Sequence, residues 1–126
     1  MGYLEANIDY SNLGDTILEI SNTIRFVEIY HKGNKCRHVR KDVTPLLDET
    51  ETEQSIEDAL DRWKTRVRLS EKLGAPKYAM AEYGRVKRIT IPFNENGLIL
   101  VSLDCEGFHE VVLKEILEII NLFSTE

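Results

Sequence analysis

The run Leu98-Ile-Leu-Val-Ser-Leu103 is apolar on both sides of an extended chain. Successive side chains of a β-strand point to opposite faces of the sheet, so this strand needs a covering layer on each face. Strands of this kind lie at the centre of a sheet rather than at its edge. The sequence therefore predicts an α+β domain, with helices packed on both faces of a single sheet.

Turn-forming residues separate this central strand from four others. Lys32-Gly-Asn-Lys35 and Asn94-Glu-Asn-Gly97 have the composition of hairpin turns, and Gly84 marks another tight turn. We expect five strands, at residues 24–31, 36–41, 77–83, 85–93 and 98–103.

The first strand is apolar on both faces as well. Ile24, Phe26 and Tyr30 are expected on one face, with Val27 and Ile29 on the other. The second strand is polar and suits a sheet edge. The simplest sheet therefore places the central strand beside the first, in the antiparallel order 2-1-5-4-3.

Three helices are predicted, at residues 10–20, 51–73 and 107–123. The apolar stripe of the middle helix comprises Ile56, Ala59, Leu60, Trp63 and Val67. Thr50 or Thr52 is its expected N-cap, and Gly74 followed by Pro76 ends it. The predicted buried face of the last helix comprises Phe108, Val111, Val112, Ile116, Ile119, Ile120 and Phe123. The element order is α-ββ-α-βββ-α, with the long helix on one face of the sheet and the terminal helices on the other.

The 126-residue chain has the length of one domain. We interpret residues 1–9 as an N-terminal extension and residues 10–126 as a single α/β domain. No apolar run reaches the roughly 20 residues that span a bilayer, and the N-terminus lacks the apolar core of a signal peptide. We expect a cytoplasmic protein without membrane association, in which Cys36 and Cys105 are reduced.

Several short blocks resemble a family of small archaeal proteins. They are Ile24-Arg-Phe, Val43-Thr-Pro-Leu-Leu47, Arg62-Trp-Lys, Leu73-Gly and Lys77-Tyr-Ala-Met-Ala-Glu. Over residues 10–123 the element order is similar to the roadblock/longin-like branch of the profilin-like folds. This resemblance implies a non-enzymatic binding platform that dimerises through its long middle helix and the neighbouring strand. It also implies a small GTPase, or another protein, as a partner.

Charge is sorted into blocks along the chain. Residues 42–61 carry eight acidic and no basic side chains, and residues 62–88 carry nine basic and two acidic ones. The boundary falls inside the long helix, so two such helices packed antiparallel would set acid against base. The candidate dimer interface consists of Glu57, Asp61, Lys64, Arg66 and Arg68. The same arrangement also suits the macrodipole of a single helix, and both explanations stay open.

A basic surface is the second candidate site. It comprises Arg62, Arg66, Arg68, Lys77, Arg85, Lys87 and Arg88. Tyr78 and Tyr83 would provide stacking platforms for single-stranded RNA or DNA. The net charge of −6 favours a solvated basic face instead. A small-ligand sensor, with a cavity between sheet and helix, is a further alternative.

Histidine and cysteine residues form two weak constellations. His31, Cys36 and His38 surround the first hairpin turn, and the Cys36-x-His38 spacing puts two metal-ligand types on one strand face. A fourth ligand is not identifiable, so a buried thiol and surface histidines are the favoured interpretation. Cys105 and His109 form a second pair, for which the sequence specifies no orienting third group. No nucleotide-binding or hydrolase motif occurs, and we expect a non-enzymatic protein with no metal or cofactor.

Overall fold

A computed structural model describes residues 9–123. The helices are α1 (Tyr10–Leu18), α2 (Glu49–Arg68), α3 (Ser70–Leu73) and α4 (His109–Phe123). The strands are β1 (Ile24–His31), β2 (Asn34–Val39), β3 (Ala79–Glu82), β4 (Val86–Phe93) and β5 (Gly97–Asp104). The predicted element order is confirmed, with one added short helix, α3. The predicted extension lies outside the described residues except for Asp9, whose carboxylate accepts a hydrogen bond from the Asn12 amide and caps α1.

The five strands form one antiparallel sheet in the predicted order β2-β1-β5-β4-β3. The central β5 is buried over most of its length, as its composition requires. A β-bulge interrupts the β1–β5 register between Ile24 and Phe26. The prediction that these two side chains share a face is wrong, because the extra residue turns Ile24 into the core that holds Val27 and Ile29.

The two faces of the sheet are packed unequally. α1 and α4 cover one face, where Leu13, Ile17 and Ile116 belong to a large buried core. α2 covers the other face, where the buried cluster consists of Ile56, Ala59 and Leu100, with Leu60 at its border. The helix arrangement is therefore the predicted one, but most of the buried apolar surface lies on the α1 and α4 side.

The N-cap of α2 is Asp48, and the prediction of Thr50 or Thr52 is wrong. The Asp48 carboxylate accepts a hydrogen bond from the Glu51 amide at 2.7 Å. The Glu51 carboxylate in turn accepts one from the Asp48 amide at 3.0 Å. This capping box satisfies two amides that the first turn leaves without helical partners. At the other end, Gly74 follows α3 with a φ of 89°, as predicted for a glycine that stops a helix.

The apolar face predicted for α4 is only partly buried. Val112, Leu113, Ile116 and Ile120 are buried, whereas Phe108 is 79% exposed. Val111 is also exposed, because the apolar side of the helix is wider than the strip that the sheet covers. In residues 9–123 no helix combines the length and the apolar character that crossing a membrane requires.

Candidate interaction surface

The outer edge of β3 is one of the two sheet edges that stay unpaired within residues 9–123, the other being that of β2. β3 is the last strand of the sheet, so within residues 9–123 only β4 pairs with it. Large apolar side chains are exposed around this edge and the end of α2: Val67, Leu69, Leu73, Tyr78 and Tyr83. We call these five residues the apolar rim. An unpaired edge beside an exposed apolar patch is typical of a surface that another chain covers.

Four of the predicted interface residues form one exposed stripe on α2. Glu57, Asp61, Lys64 and Arg68 follow each other at spacings of four, three and four residues, which places them on a single helix face. The stripe is acidic in its first half and basic in its second. The fifth predicted residue, Arg66, is placed elsewhere: its side chain is half-buried, with the guanidinium 5.9 Å from the centre of the Trp63 ring.

The predicted basic surface is divided between the two faces of the sheet. Lys87 points toward the α4 side, where its ammonium donates a hydrogen bond to the Gly107 carbonyl at 2.8 Å. Arg88 points toward α2 and donates to the Ser55 hydroxyl at 3.0 Å. Arg68, Lys77 and Arg85 are exposed. The structure therefore brings Arg62, Arg66 and Arg88 together under α2 and leaves Lys87 apart from them.

Arg62, Arg66 and Arg88 line a small cavity between α2 and the sheet. Its volume is about 80 Å³, and its floor includes Ser102 of β5. A second, open groove of about 1020 Å³ runs beside it, under the segment that joins β2 to α2. Phe26, Leu46 and Leu47 give this groove a mainly apolar lining. Neither depression is detectable in one sequence, because each is formed by residues far apart along the chain.

A charged network attaches the first half of α2 to the sheet. Glu28 of β1 is only 1% exposed, and the Arg37 guanidinium of β2 donates to it at 2.6 Å. Arg37 also reaches Glu49 at 3.2 Å and Glu53 at 3.6 Å, both on α2. Burial raises the pKa of the Glu28 carboxyl, and the hydrogen bond and charge of Arg37 oppose that shift. This network has no signature in the sequence, since its members come from three separate elements.

Cys36 and His38 are joined with Asp15 of α1 in a line of polar contacts. The Cys36 thiol lies 3.2 Å from Nε2 of His38, and Nδ1 of that ring lies 3.0 Å from the Asp15 carboxylate. The ring packs directly on Gly14, where any side chain would overlap it. Burial, followed by the charge of Asp15, raises the pKa of the Cys36 thiol. The line therefore holds a protonated thiol at neutral pH and ties α1 to β2.

The remaining candidate histidines and cysteine are not assembled into a metal or catalytic site. His31 is buried, and its Nδ1 lies 2.9 Å from the Tyr10 hydroxyl. Cys105 is exposed, and His109 starts α4. Among residues 9–123, no group of three or more histidine, cysteine, aspartate or glutamate side chains is arranged to hold a metal ion.

The two cysteines should differ in reactivity. We expect iodoacetamide at neutral pH to alkylate exposed Cys105 before Cys36, because the thiolate is the reactive form and the raised pKa of Cys36 keeps it protonated. Mass spectrometry of tryptic peptides over time measures both rates in one sample. Faster alkylation of Cys36 would mean that His38 acts as a base toward the thiol, and the variant His38→Gln would then slow it.

Comparison with known proteins identifies the fold. Neither a protein-family model nor a curated protein matches the sequence. The structure is similar to a roadblock/LC7 domain from Streptomyces avermitilis, with a TM-score of 0.70 and 11% identity over 90% of this chain and 93% of that one. The gliding protein MglB from Thermus thermophilus gives a TM-score of 0.66 and 12% identity, over 90% and 86% of the two chains. MglB in a tetrameric arrangement gives 0.69 and 12%, over 90% and 83%. The chain thus has the roadblock/LC7 fold.

Proposed function

We propose that this roadblock-like domain is a non-enzymatic scaffold or regulatory domain that acts as a homodimer. The observation that carries the proposal is the unpaired outer edge of β3, with the apolar rim exposed beside it. Two copies related by a two-fold axis would pair their β3 edges and extend the sheet across the molecule boundary. The same operation would bring the two α2 helices together in antiparallel orientation.

The charged stripe on α2 lies away from the helix side that faces β3, where Ser55, Arg62 and Arg66 lie, but the stripe is itself self-complementary about a two-fold axis. Consider a two-fold axis that crosses the helix midway between Asp61 and Lys64. It places each residue opposite the residue of the second copy that lies equally far from that midpoint in the other direction along the helix. Asp61 then faces Lys64 of the second copy, and Glu57 faces Arg68 of the second copy. Every pair across the axis joins an acid to a base, as an interface between identical surfaces requires.

Burial of the apolar rim would supply most of the association energy. Each exposed apolar side chain removed from water contributes about 25 cal/mol per Å² of buried area, whereas exposed ion pairs contribute less than about 1 kcal/mol each. The stripe therefore sets the register of the two copies more than their affinity. Tyr78 and Tyr83 are of the residue type that most often anchors such contacts.

Other proteins are the proposed partners of the assembled platform, including a small GTPase, as the resemblance of the sequence to roadblock domains implies. The structural neighbour MglB has been solved in a tetrameric arrangement, which supports self-association for a domain of this fold. A cytoplasmic location and an archaeal source remain predictions from the sequence. Single-stranded RNA or DNA is the less favoured partner, because Lys87 lies away from the other basic residues.

The dimer can be tested by light scattering with a charge reversal and its compensating swap. We expect the wild type to have about twice the 14.5 kDa mass of one chain. Arg68→Glu would create two carboxylate–carboxylate pairs per dimer, each between Glu57 of one copy and the new glutamate of the other. Because these pairs repel, the variant should weaken association on the order of tenfold, most strongly at low salt. The double variant Glu57→Arg/Arg68→Glu restores an acid opposite each base and should regain the wild-type mass.

Lys114→Glu is the matched control for the change in net charge. Lys114 is exposed on α4, so this variant changes the charge of the chain as Arg68→Glu does and should stay dimeric. A wild type that is monomeric at every concentration would refute the homodimer. Equal dissociation of Arg68→Glu and the swap variant would show that the copies do not meet through the α2 stripe.

A further inference from the structure

The cavity under α2 concentrates positive charge without a carboxylate to balance it. Its lining includes Arg62, Arg66 and Arg88, and no acidic residue. In residues 9–123 none of these three arginines lies within 4.0 Å of a carboxylate oxygen. Arg25 and Arg37, by contrast, each form an ion pair. Positive charges that line one cavity repel one another, and a bound anion would relieve that repulsion.

Neighbouring contacts hold two of these arginines in the cavity. Arg88 and Arg66 are both half-buried. The Arg88 guanidinium donates to the Ser55 hydroxyl on α2, which fixes it across the gap between helix and sheet. The Arg66 guanidinium lies over the Trp63 ring, so cation–π attraction restricts its orientation. Side chains that are already positioned lose little conformational entropy when a ligand binds.

The hydroxyl groups of Thr90 and Ser102 supply further donors around the same space, whereas Ser55 donates its hydroxyl hydrogen to the Thr52 carbonyl. Ser55, Thr90 and Ser102 line the cavity together with the three arginines. The register of the sheet places Arg88 directly opposite Ser102, and Ser102 opposite Phe26, so these side chains emerge on the α2 side. The cavity therefore offers planar, multiply donating cations together with hydroxyl donors. This donor set suits a tetrahedral oxyanion, which has more acceptor oxygens than a carboxylate.

We propose that this cavity binds the phosphate group of a small ligand, either the free ion or the phosphate of a mononucleotide. The volume of about 80 Å³ is several times that which a single water occupies, so it accommodates one such group. Arg66 and Arg88 hold the oxygens from the sides, and Arg62, which is exposed at the mouth, adds a third charge. The open groove beside the cavity leaves space for the remainder of a nucleotide.

Calorimetric titration with sodium phosphate tests the site, with sodium chloride adjusted to keep ionic strength constant. We expect saturable binding to the wild type, and binding at least tenfold weaker for Arg66→Gln/Arg88→Gln, which removes two charged donors. Arg62→Gln, which alters an exposed side chain, should weaken binding without affecting the fold. Lys114→Gln is the control: it removes one positive charge from an exposed residue of α4 that lines neither the cavity nor the groove and should bind as the wild type does.

A second arm with adenosine monophosphate distinguishes the two ligand sources. Tighter binding than phosphate would assign the cavity to a nucleotide, and equal or weaker binding would assign it to the free ion. Absence of binding by both ligands would overturn the proposal, as would equal losses in Lys114→Gln and Arg66→Gln/Arg88→Gln. The cavity is formed within one chain, so Arg68→Glu, diluted until it is monomeric, should still bind phosphate, and a failure of the homodimer would not be mistaken for a failure of this site.

Discussion

Replacing Arg37 by alanine is expected to lower the free energy of unfolding by about 3 kcal/mol at neutral pH. Arg37 is the cation next to buried Glu28, and its loss leaves a carboxylate in the interior without a partner. It also removes the contacts from β2 to Glu49 and Glu53 on α2. Urea denaturation of the purified variant measures the change.

The double variant Glu28→Gln/Arg37→Ala separates the lost charge pair from the lost packing. Glutamine carries no charge that would be left buried without a partner, so we expect the double variant to regain much of the stability that Arg37→Ala loses. A double variant no more stable than Arg37→Ala would show that the guanidinium acts mainly through its packing on Phe26, 5.6 Å from the ring centre.

The pH dependence of the stability lost in Arg37→Ala has a definite sign. Burial raises the pKa of Glu28 above its ordinary value of 4.5, so the folded protein binds this proton more tightly than the unfolded chain does. Stability therefore falls as the pH rises from 4.5 through the raised pKa. Without Arg37 the opposing effect on that pKa is lost, so the penalty of Arg37→Ala should be larger at neutral than at acid pH.

Gly97→Ala should destabilise the fold by a similar amount, about 3 kcal/mol. Gly97 lies where β5 meets the ends of both neighbouring strands, opposite Phe93 on one side and His31 on the other. A Cβ there would overlap the Phe93 carbonyl oxygen and stand 2.8 Å from the His31 ring. The backbone cannot move away without disrupting the register on both sides.

Gly84→Ala is the matched control for this prediction. Gly84 lies in the turn between β3 and β4, and an added Cβ would meet no atom within 4 Å. Thermal unfolding should therefore be nearly unchanged in Gly84→Ala and shifted strongly downward in Gly97→Ala. Equal transitions for the two variants would show that the sheet adjusts at Gly97 without loss.

The sequence determined the sheet because its strands carry strong local signals. The doubly apolar run at 98–103 and the turns around Gly33 and Asn96 define which strands are adjacent. Helix ends carry weaker signals: Asp, Ser and Thr all cap helices, so the threonines at 50 and 52 compete in the sequence with the Asp48-x-x-Glu51 box that caps α2. The β1 bulge has no signal of its own, since it adds one residue to an otherwise regular strand.

The candidate sites are less predictable from the sequence than the sheet is, because they depend on how the helices pack. The stripe of Glu57, Asp61, Lys64 and Arg68 follows from helical spacing, which sequence alone provides. The line from Cys36 to Asp15 and the arginine cavity arise only when α1 and α2 pack on the sheet. The alternation of strand side chains places Arg88 and Lys87 on opposite faces of β4, although both belong to one basic block of the sequence.

The unequal packing of the two sheet faces has a consequence for hydrogen exchange. α2 rests on a small apolar cluster and on polar contacts through Arg37 and Arg88, whereas the opposite face is closed by a continuous core. Local opening costs least where little apolar surface is buried, so α2 can leave the sheet while the strands keep their protection. Both a second copy and an anion bound under α2 would oppose that opening. Dimerisation and anion binding would therefore be coupled through the local opening of α2.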